Sequence, residues 1–209
     1  MSDAIPRQSR LLVVSGGLGE PSTTRLLSDR LATAVRNALD DPSSEVSLLE
    51  LRDLARDITD ALLTRVPSPA LQTALDAVAG ADGLVVVSPI FSASYSGLFK
   101  SFFDVLDPEA VEGTPVLIAA TGGTERHSLA LDYALRPLFS YLHAVVVPTG
   151  VFAATADWGS SGATDRLTNR ITRAAEELAR LVAGSPGSSA LDPYTNPTPF
   201  EDLLYGRSP

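Results

Sequence analysis

Three short stretches combine glycine with hydroxyl-bearing or aromatic residues, a mixture suited to a flat, phosphorylated ligand. The first reads Ser15-Gly16-Gly17-Leu18-Gly19-Glu20-Pro21-Ser22-Thr23-Thr24-Arg25. Its glycines let backbone approach a ligand closely. Ser22, Thr23 and Thr24 then open a helical pattern, with hydroxyls and unbonded amides at the positive end of the helix dipole. A phosphate monoester fits such a turn. The Gly-Lys-Ser/Thr ending of a P-loop is missing, and Ser22 follows Gly17 and Gly19 where G-x-G-x-x-G needs its third glycine. The simpler reading is a well-capped helix after a flexible turn.

The second stretch runs from Ser88 through Pro89, Ile90, Phe91, Ser92, Ala93, Ser94, Tyr95, Ser96 and Gly97 to Lys100. Pro89 should end a strand, and Phe91 and Tyr95 offer faces for a planar ring. The alternative reading is that both rings simply pack beneath their own loop. The third stretch is Thr121-Gly122-Gly123-Thr124-Glu125-Arg126-His127. Paired glycines let a flat ring lie against backbone, whose amides would meet the ring's polar edge. His127 falls in the first turn of the next helical pattern, where a lone histidine is more often structural or solvated.

Other chemistries are poorly supplied. The chain has no cysteine and only two histidines, His127 and His143. That excludes disulfides, thiolate nucleophiles, iron–sulfur clusters and cysteine-based zinc sites, and leaves too few ligands for a usual histidine-rich metal site. Neither a Ser/His/Asp constellation nor paired carboxylates flanking a glycine-rich cleft is visible. Hydride transfer needs no protein nucleophile, because the cofactors carry the chemistry. A formal net charge of -9 repels nucleic acid and anionic lipid. No signal-peptide pattern or membrane-length apolar run occurs, so a cytoplasmic protein is expected.

The elements that must position these loops follow from apolar patterning. Runs at 11–14, 46–51, 84–87, 116–120 and 144–147 are mostly continuous, as in strands buried on both faces. Ser47 and Glu50 mark the second as an edge strand. Helical stripes fill the gaps: Leu27, Leu31, Val35 and Ala38; Leu71, Leu75 and Val78; Leu98, Phe102, Val105 and Leu106; Leu131, Leu135, Leu138 and Leu142; and Leu167, Ile171, Ala174, Leu178 and Leu181. A further short helix or irregular loop is expected between Arg52 and Leu63. Alternation of strand and helix implies right-handed parallel crossovers. The expected architecture is α/β: a flavodoxin-like three-layer sandwich around a five-stranded parallel sheet in the order 2-1-3-4-5, with a six-stranded Rossmann sheet as the alternative. The three loops then leave the C-terminal ends of strands one, three and four, where open parallel sheets bind ligands. One domain is expected over 1–184. A Pro/Gly/Ser-rich tail follows over 185–209, read as flexible or as an arm docked through Phe200, Leu203, Leu204 and Tyr205.

At these loops the chain resembles the NAD(P)H-dependent FMN reductases, particularly the alkanesulfonate-type two-component flavin reductases. The resemblance spans about residues 10–183. It rests on Pro67-Ser68-Pro69-Ala70-Leu71-Gln72, Ala81-Asp82-Gly83-Leu84-Val85, Ala93-Ser94-Tyr95-Ser96-Gly97-Leu98-Phe99-Lys100, Ala120 through Thr124 with His127, Asp132-Tyr133-Ala134-Leu135-Arg136-Pro137 and Gly150-Val151-Phe152-Ala153. Each motif is weak alone, and together they are specific. The resemblance implies hydride transfer from NADPH or NADH to FMN, reduced flavin supplied to a separate monooxygenase, and a homodimer or homotetramer with flavin sites near subunit interfaces. By position, Ser22, Thr23 and Thr24 match the phosphate turn; Pro89, Phe91 and Tyr95 match the loop along the ring; and Thr121 to Thr124 match the loop at its pyrimidine end. Two positions depart from the pattern: Gly16 and Leu18 stand where the family usually carries Ser and Arg. Arg25 and Arg126 are the candidate cations to compensate. The rival readings are an FMN-retaining quinone, azo-dye or chromate reductase, and a non-enzymatic flavodoxin-type electron carrier, for which the chain is long. The helix containing Tyr133 is apolar on more than one face, which predicts an interface there.

Overall fold

The inner strands read as continuous apolar runs because alternate residues enter two different cores. β1 (Arg10–Ser15), β3 (Gly83–Phe91) and β5 (Pro115–Gly122) form the centre of the sheet. Leu12, Val14, Leu84, Val86, Val116 and Ile118 face one core, while Leu11, Val13, Val85, Val87, Leu117 and Ala119 face the other. The computed structural model describes residues 8–39, 41–159 and 161–184. The tail expected over 185–209 lies outside the described residues.

One helical layer consists of α1 (Thr23–Ala38) and α6 (Ser161–Gly184), which bury Leu27, Leu31 and Val35 together with Leu167, Ile171, Ala174 and Leu178. The opposite layer consists of α2 (Ala55–Thr64), α3 (Pro69–Ala79), α4 (Gly97–Val105) and α5 (Arg136–Tyr141). Each helix on the binding edge starts with a hydroxyl cap where the sequence supplies one. Ser22 accepts from the Arg25 amide and Ser96 from the Phe99 amide. A 3₁₀ turn at Leu51–Leu54 leads into α2 and fills the interval read as helix or loop. On α4 the buried residues are Phe99, Phe102 and Phe103, with Leu106 just beyond it: Phe102 and Leu106 are as expected, and Phe99 and Phe103 take the place of the half-buried Leu98 and Val105. Aromatic packing decides this: Phe99 and Phe103 lie 4.9 Å apart, and Phe103 and Phe139 also 4.9 Å.

β2 (Glu45–Glu50) pairs with β1 at one edge, as its mixed polarity predicts. The order is β2-β1-β3-β5-β6, all parallel, which is the expected flavodoxin-like arrangement. Among the described residues the sheet has seven strands rather than five. Two causes account for the difference. The fifth strand is broken into β6 (Val145–Val146) and β7 (Val151–Ala154), both parallel to β5. Pro148 lies in the break and has no N–H to continue a ladder. The short β4 (Ser94–Tyr95) folds back antiparallel on β3. Its two-residue turn, Ser92 and Ala93, has φ of 48° and 68°, the signature of a tight hairpin.

Candidate functional site

The strand register brings the C-terminal ends of β1, β3 and β5 to one edge. Ser15 lies opposite Val87, and Pro89 opposite Thr121. The three loops identified from the sequence therefore share a rim, and specific bonds tie them together. The Gly16 amide donates to the Val87 carbonyl at 2.8 Å. The Ser96 amide donates to Ser88 Oγ at 3.0 Å, and the Ser96 hydroxyl donates to the Gly16 carbonyl at 3.5 Å. Thr24 Oγ1 and Thr121 Oγ1 are 2.8 Å apart, joining the start of α1 to the end of β5 across 97 residues of sequence.

The first loop is closely packed at its base. Ser15, Gly16 and Gly17 are buried, and a Cβ on Gly17 would lie 2.5 Å from Ser22 Oγ. A side chain there would push the Ser22 hydroxyl out of its capping position. Thr23 is exposed, while Thr24 is buried with its hydroxyl committed to Thr121. What Thr24 contributes toward the rim is its backbone.

The second loop places Phe91 at the hairpin tip, half of its surface exposed. Pro89 does not end the strand as expected: β3 continues through it to Phe91, with Pro89 paired to Thr121 and both Pro89 and Ile90 buried. Tyr95 is half-buried against Phe99, with ring centroids 6.0 Å apart. Holding Ser92 and Ala93 in the left-handed region costs about 1–3 kcal/mol each, strain typical of loops that present a ligand contact.

In the third loop Thr121 is buried, Gly122 half-buried, and Gly123 and Thr124 exposed. A Cβ on Gly122 would sit 2.8 Å from Phe152 Cζ, whereas one on Gly123 would meet nothing within 4 Å. Gly123 therefore borders open space, as a backbone surface for a flat ring must. Thr124 accepts from the Arg126 amide at 3.0 Å and caps a 3₁₀ turn that carries exposed His127.

Polar groups to which the sequence reading gave no binding role complete the rim. Ser88 and Ser96 are fully buried ties; the sequence signal for Ser96 is its place just before the Gly97 helix start. Arg25, a candidate cation, is engaged by Glu50 and Asp29, each at 2.9 Å, and Glu50 followed by Asp29 holds its guanidinium above the ordinary arginine range. Arg52 bonds to Glu20, and their positions in the sequence gave no hint of this. A separate groove of about 690 Å³ lies between α1 and α6, lined by residues such as Thr33, Asn37 and Thr168. It includes no residue of the three loops.

Residues 9–159 match the model of the NADPH-dependent FMN reductase family. The chain belongs to that family. It is 44% identical over 177 residues to FMN reductase (NADPH) of Pseudomonas aeruginosa, covering 84% of this chain and 93% of the relative. It is 43% identical over 177 residues to the NADH-dependent FMN reductase SfnF of Pseudomonas fluorescens, covering 84% and 92%. Among solved structures it superposes on an oxidoreductase from Corynebacterium diphtheriae with a TM-score of 0.81 at 49% identity, covering 85% of this chain and 98% of that one. An NADH:FMN oxidoreductase, EMOB in its apo form, gives 0.72 at 28% identity, covering 93% and 100%. The family is one of oxidoreductases that work with FMN and NADPH or NADH. The residues of the rim fit FMN. They combine a hydroxyl-capped helix start, an exposed aromatic at a hairpin tip, and a glycine surface open to a planar ring.

Proposed function

We propose that this chain catalyses NAD(P)H-dependent reduction of FMN in the cytoplasm and supplies the reduced flavin to a partner monooxygenase. The observation that carries the reading is the single rim made by three separate loops, joined through Thr24–Thr121 and Ser96–Gly16. When bound, FMN supplies a ring that accepts hydride from the nicotinamide. The chain's own task is to bind and orient. The α1 start, with Ser15 and Gly17 beneath it and Ser22, Thr23 and Thr24 upon it, holds the phosphate. Pro89, Ile90, Phe91, Ser92 and Tyr95 lie along the ring. Thr121, Gly122, Gly123, Thr124 and His127 meet its pyrimidine edge. No protein group has to transfer a proton for hydride to move, which agrees with the absence of a nucleophile–base pair in these loops.

Delivery of a product requires release. An ordinary enzyme turns over about 10 times per second. With association at about 10⁶ M⁻¹s⁻¹, release at that rate corresponds to a dissociation constant near about 10 µM. The first loop has no lysine or arginine before Arg25, and Arg25 is engaged elsewhere, which favours such moderate affinity. The protein acts as a homodimer or homotetramer. Leu129, just before the π-helical turn Leu131–Leu135, Tyr133 within it and Tyr141 at the end of α5 are 62%, 80% and 74% exposed, apolar surface suited to a second copy. The absorbance spectrum after gel filtration tests the reading: a nearly colourless protein supports it, and a yellow protein with stoichiometric FMN contradicts it.

A further inference from the structure

Arg25 closes the first loop and Arg52 reaches it from outside, and the carboxylates that hold Arg52 are the more exposed set. Arg25 is fixed between Asp29 on its own helix and Glu50 at the end of β2. Arg52 reaches across from the turn after β2. Its Nη1 lies 2.8 Å from Glu20 Oε1 and donates to the Gly19 carbonyl at 3.4 Å. Its Nε is 3.8 Å from Asp53 Oδ1. The Arg52 side chain is 29% exposed, whereas those of Glu20 and Asp53 are 77% and 71% exposed. The arginine is therefore the more buried member of the cluster, and its carboxylates are the ones that face solvent.

We propose that Arg52 is the cation that receives the phosphate monoester of the incoming ligand, and that Glu20 is the resident carboxylate which that phosphate displaces. The inference rests on the reading of the α1 start as the flavin phosphate turn. Gly19, to which Arg52 is bonded, is three residues from the Ser22 cap, so their Cα atoms lie within about 11 Å. A guanidinium pairs with phosphate through parallel N–H donors. A phosphate dianion carries more charge than one carboxylate, and an exposed ion pair such as Glu20–Arg52 is weakly held. Arg52 thus stands in for the cation that the loop lacks, while Glu20 competes for it and keeps affinity moderate. This gives the exchangeable site a specific cause. Phosphate monoesters occur both in FMN and at the 2′-position of NADPH. Attachment of Arg52 to the loop that leads into Ser22 assigns the phosphate to FMN.

The test compares Glu20→Gln and Arg52→Gln with the unaltered protein. Affinities for FMN and riboflavin come from flavin fluorescence titration, KM values for NADPH and NADH from steady-state rates, and folding from thermal melts. Glu20→Gln should tighten FMN by about three- to fivefold. Arg52→Gln should weaken FMN by about tenfold or more. Riboflavin affinity should change less than about twofold in both. If Arg52→Gln does not fold, the tightening by Glu20→Gln decides alone. Unchanged FMN affinity in both variants, with an unaltered protein that prefers FMN to riboflavin, overturns this inference and leaves the functional reading intact. Equal changes for FMN and riboflavin would make the pair a loop brace and overturn it too. A change confined to the KM for NADPH moves the phosphate to the nucleotide and refutes the assignment to FMN. An unaltered protein that binds the two flavins equally well removes the parent reading and the inference with it.

Discussion

Gly122 and Gly123 are neighbours with opposite surroundings, and that contrast separates ligand binding from folding. The perturbation is Gly123→Val. A Cβ at Gly123 meets nothing within 4 Å, the residue is exposed, and its φ is not in the left-handed region. The change should therefore move stability by no more than about 0.5 kcal/mol, as for an ordinary surface position. Its branched side chain would project into the space assigned to the flavin ring. Overfilling a packed site costs about 1–3 kcal/mol, which is about a five- to 150-fold loss of FMN affinity. The companion change, Gly122→Ala, should do the reverse. Its Cβ would sit 2.8 Å from Phe152 Cζ, and Phe152 is only 4% exposed, so the ring must shift at a cost of about 1–3 kcal/mol in stability. Flavin fluorescence titration beside thermal melting reads both effects. Normal FMN affinity in folded Gly123→Val would show that the ring lies elsewhere. A melting loss in Gly123→Val as large as that of Gly122→Ala would refute the use of local space to divide the two roles.

Riboflavin should bind about ten- to 150-fold more weakly than FMN, because it forfeits charge-assisted bonds at the α1 start worth about 1.5–3 kcal/mol; equal affinities by fluorescence titration would remove the phosphate turn. Light scattering should find a dimer or tetramer, and Tyr133→Glu should shift it to smaller species, since Tyr133 is 80% exposed on the apolar face; a monomeric unaltered protein at about micromolar concentration contradicts this. Glu177 is buried, which alone would raise its pKa, but donation from the Thr149 hydroxyl and amide, each at 2.8 Å, and from Arg173 holds it below the ordinary value of 4.5. With a depressed folded-state pKa, its stabilisation is present above the unfolded value and fades as pH falls through the folded one. Urea unfolding at stepped acid pH should show that loss in the unaltered protein and a flatter acid limb in Glu177→Gln; parallel curves would refute the role.

The fold was legible where the pattern is local. Continuous apolar runs marked buried strands, and Ser47 and Glu50 marked the edge, because burial on both faces leaves no polar position. The glycine- and hydroxyl-rich loops were legible because close backbone approach and helix capping require those residue types. The break at Pro148 was missed because the apolar run at 144–147 is locally complete, and nothing in it shows that pairing with β5 resumes at Val151. On α4 Phe102 and Leu106 were legible, but Leu98 and Val105 satisfy helical spacing as well as Phe99 and Phe103 do. Only packing against Phe139 chooses between them. The bonds that assemble the site join residues far apart in sequence, as Thr24–Thr121 and Arg52–Glu20 do, and no spacing rule reaches across such intervals.

The central claim is that FMN is a substrate that enters and leaves. Steady-state oxidation of NADPH and NADH by gel-filtered protein, measured against added FMN, tests it most directly. The account predicts a negligible rate without flavin and a rate that saturates in the micromolar range of FMN, near about 10 µM. Oxidation that ignores added FMN but follows an added quinone would contradict it.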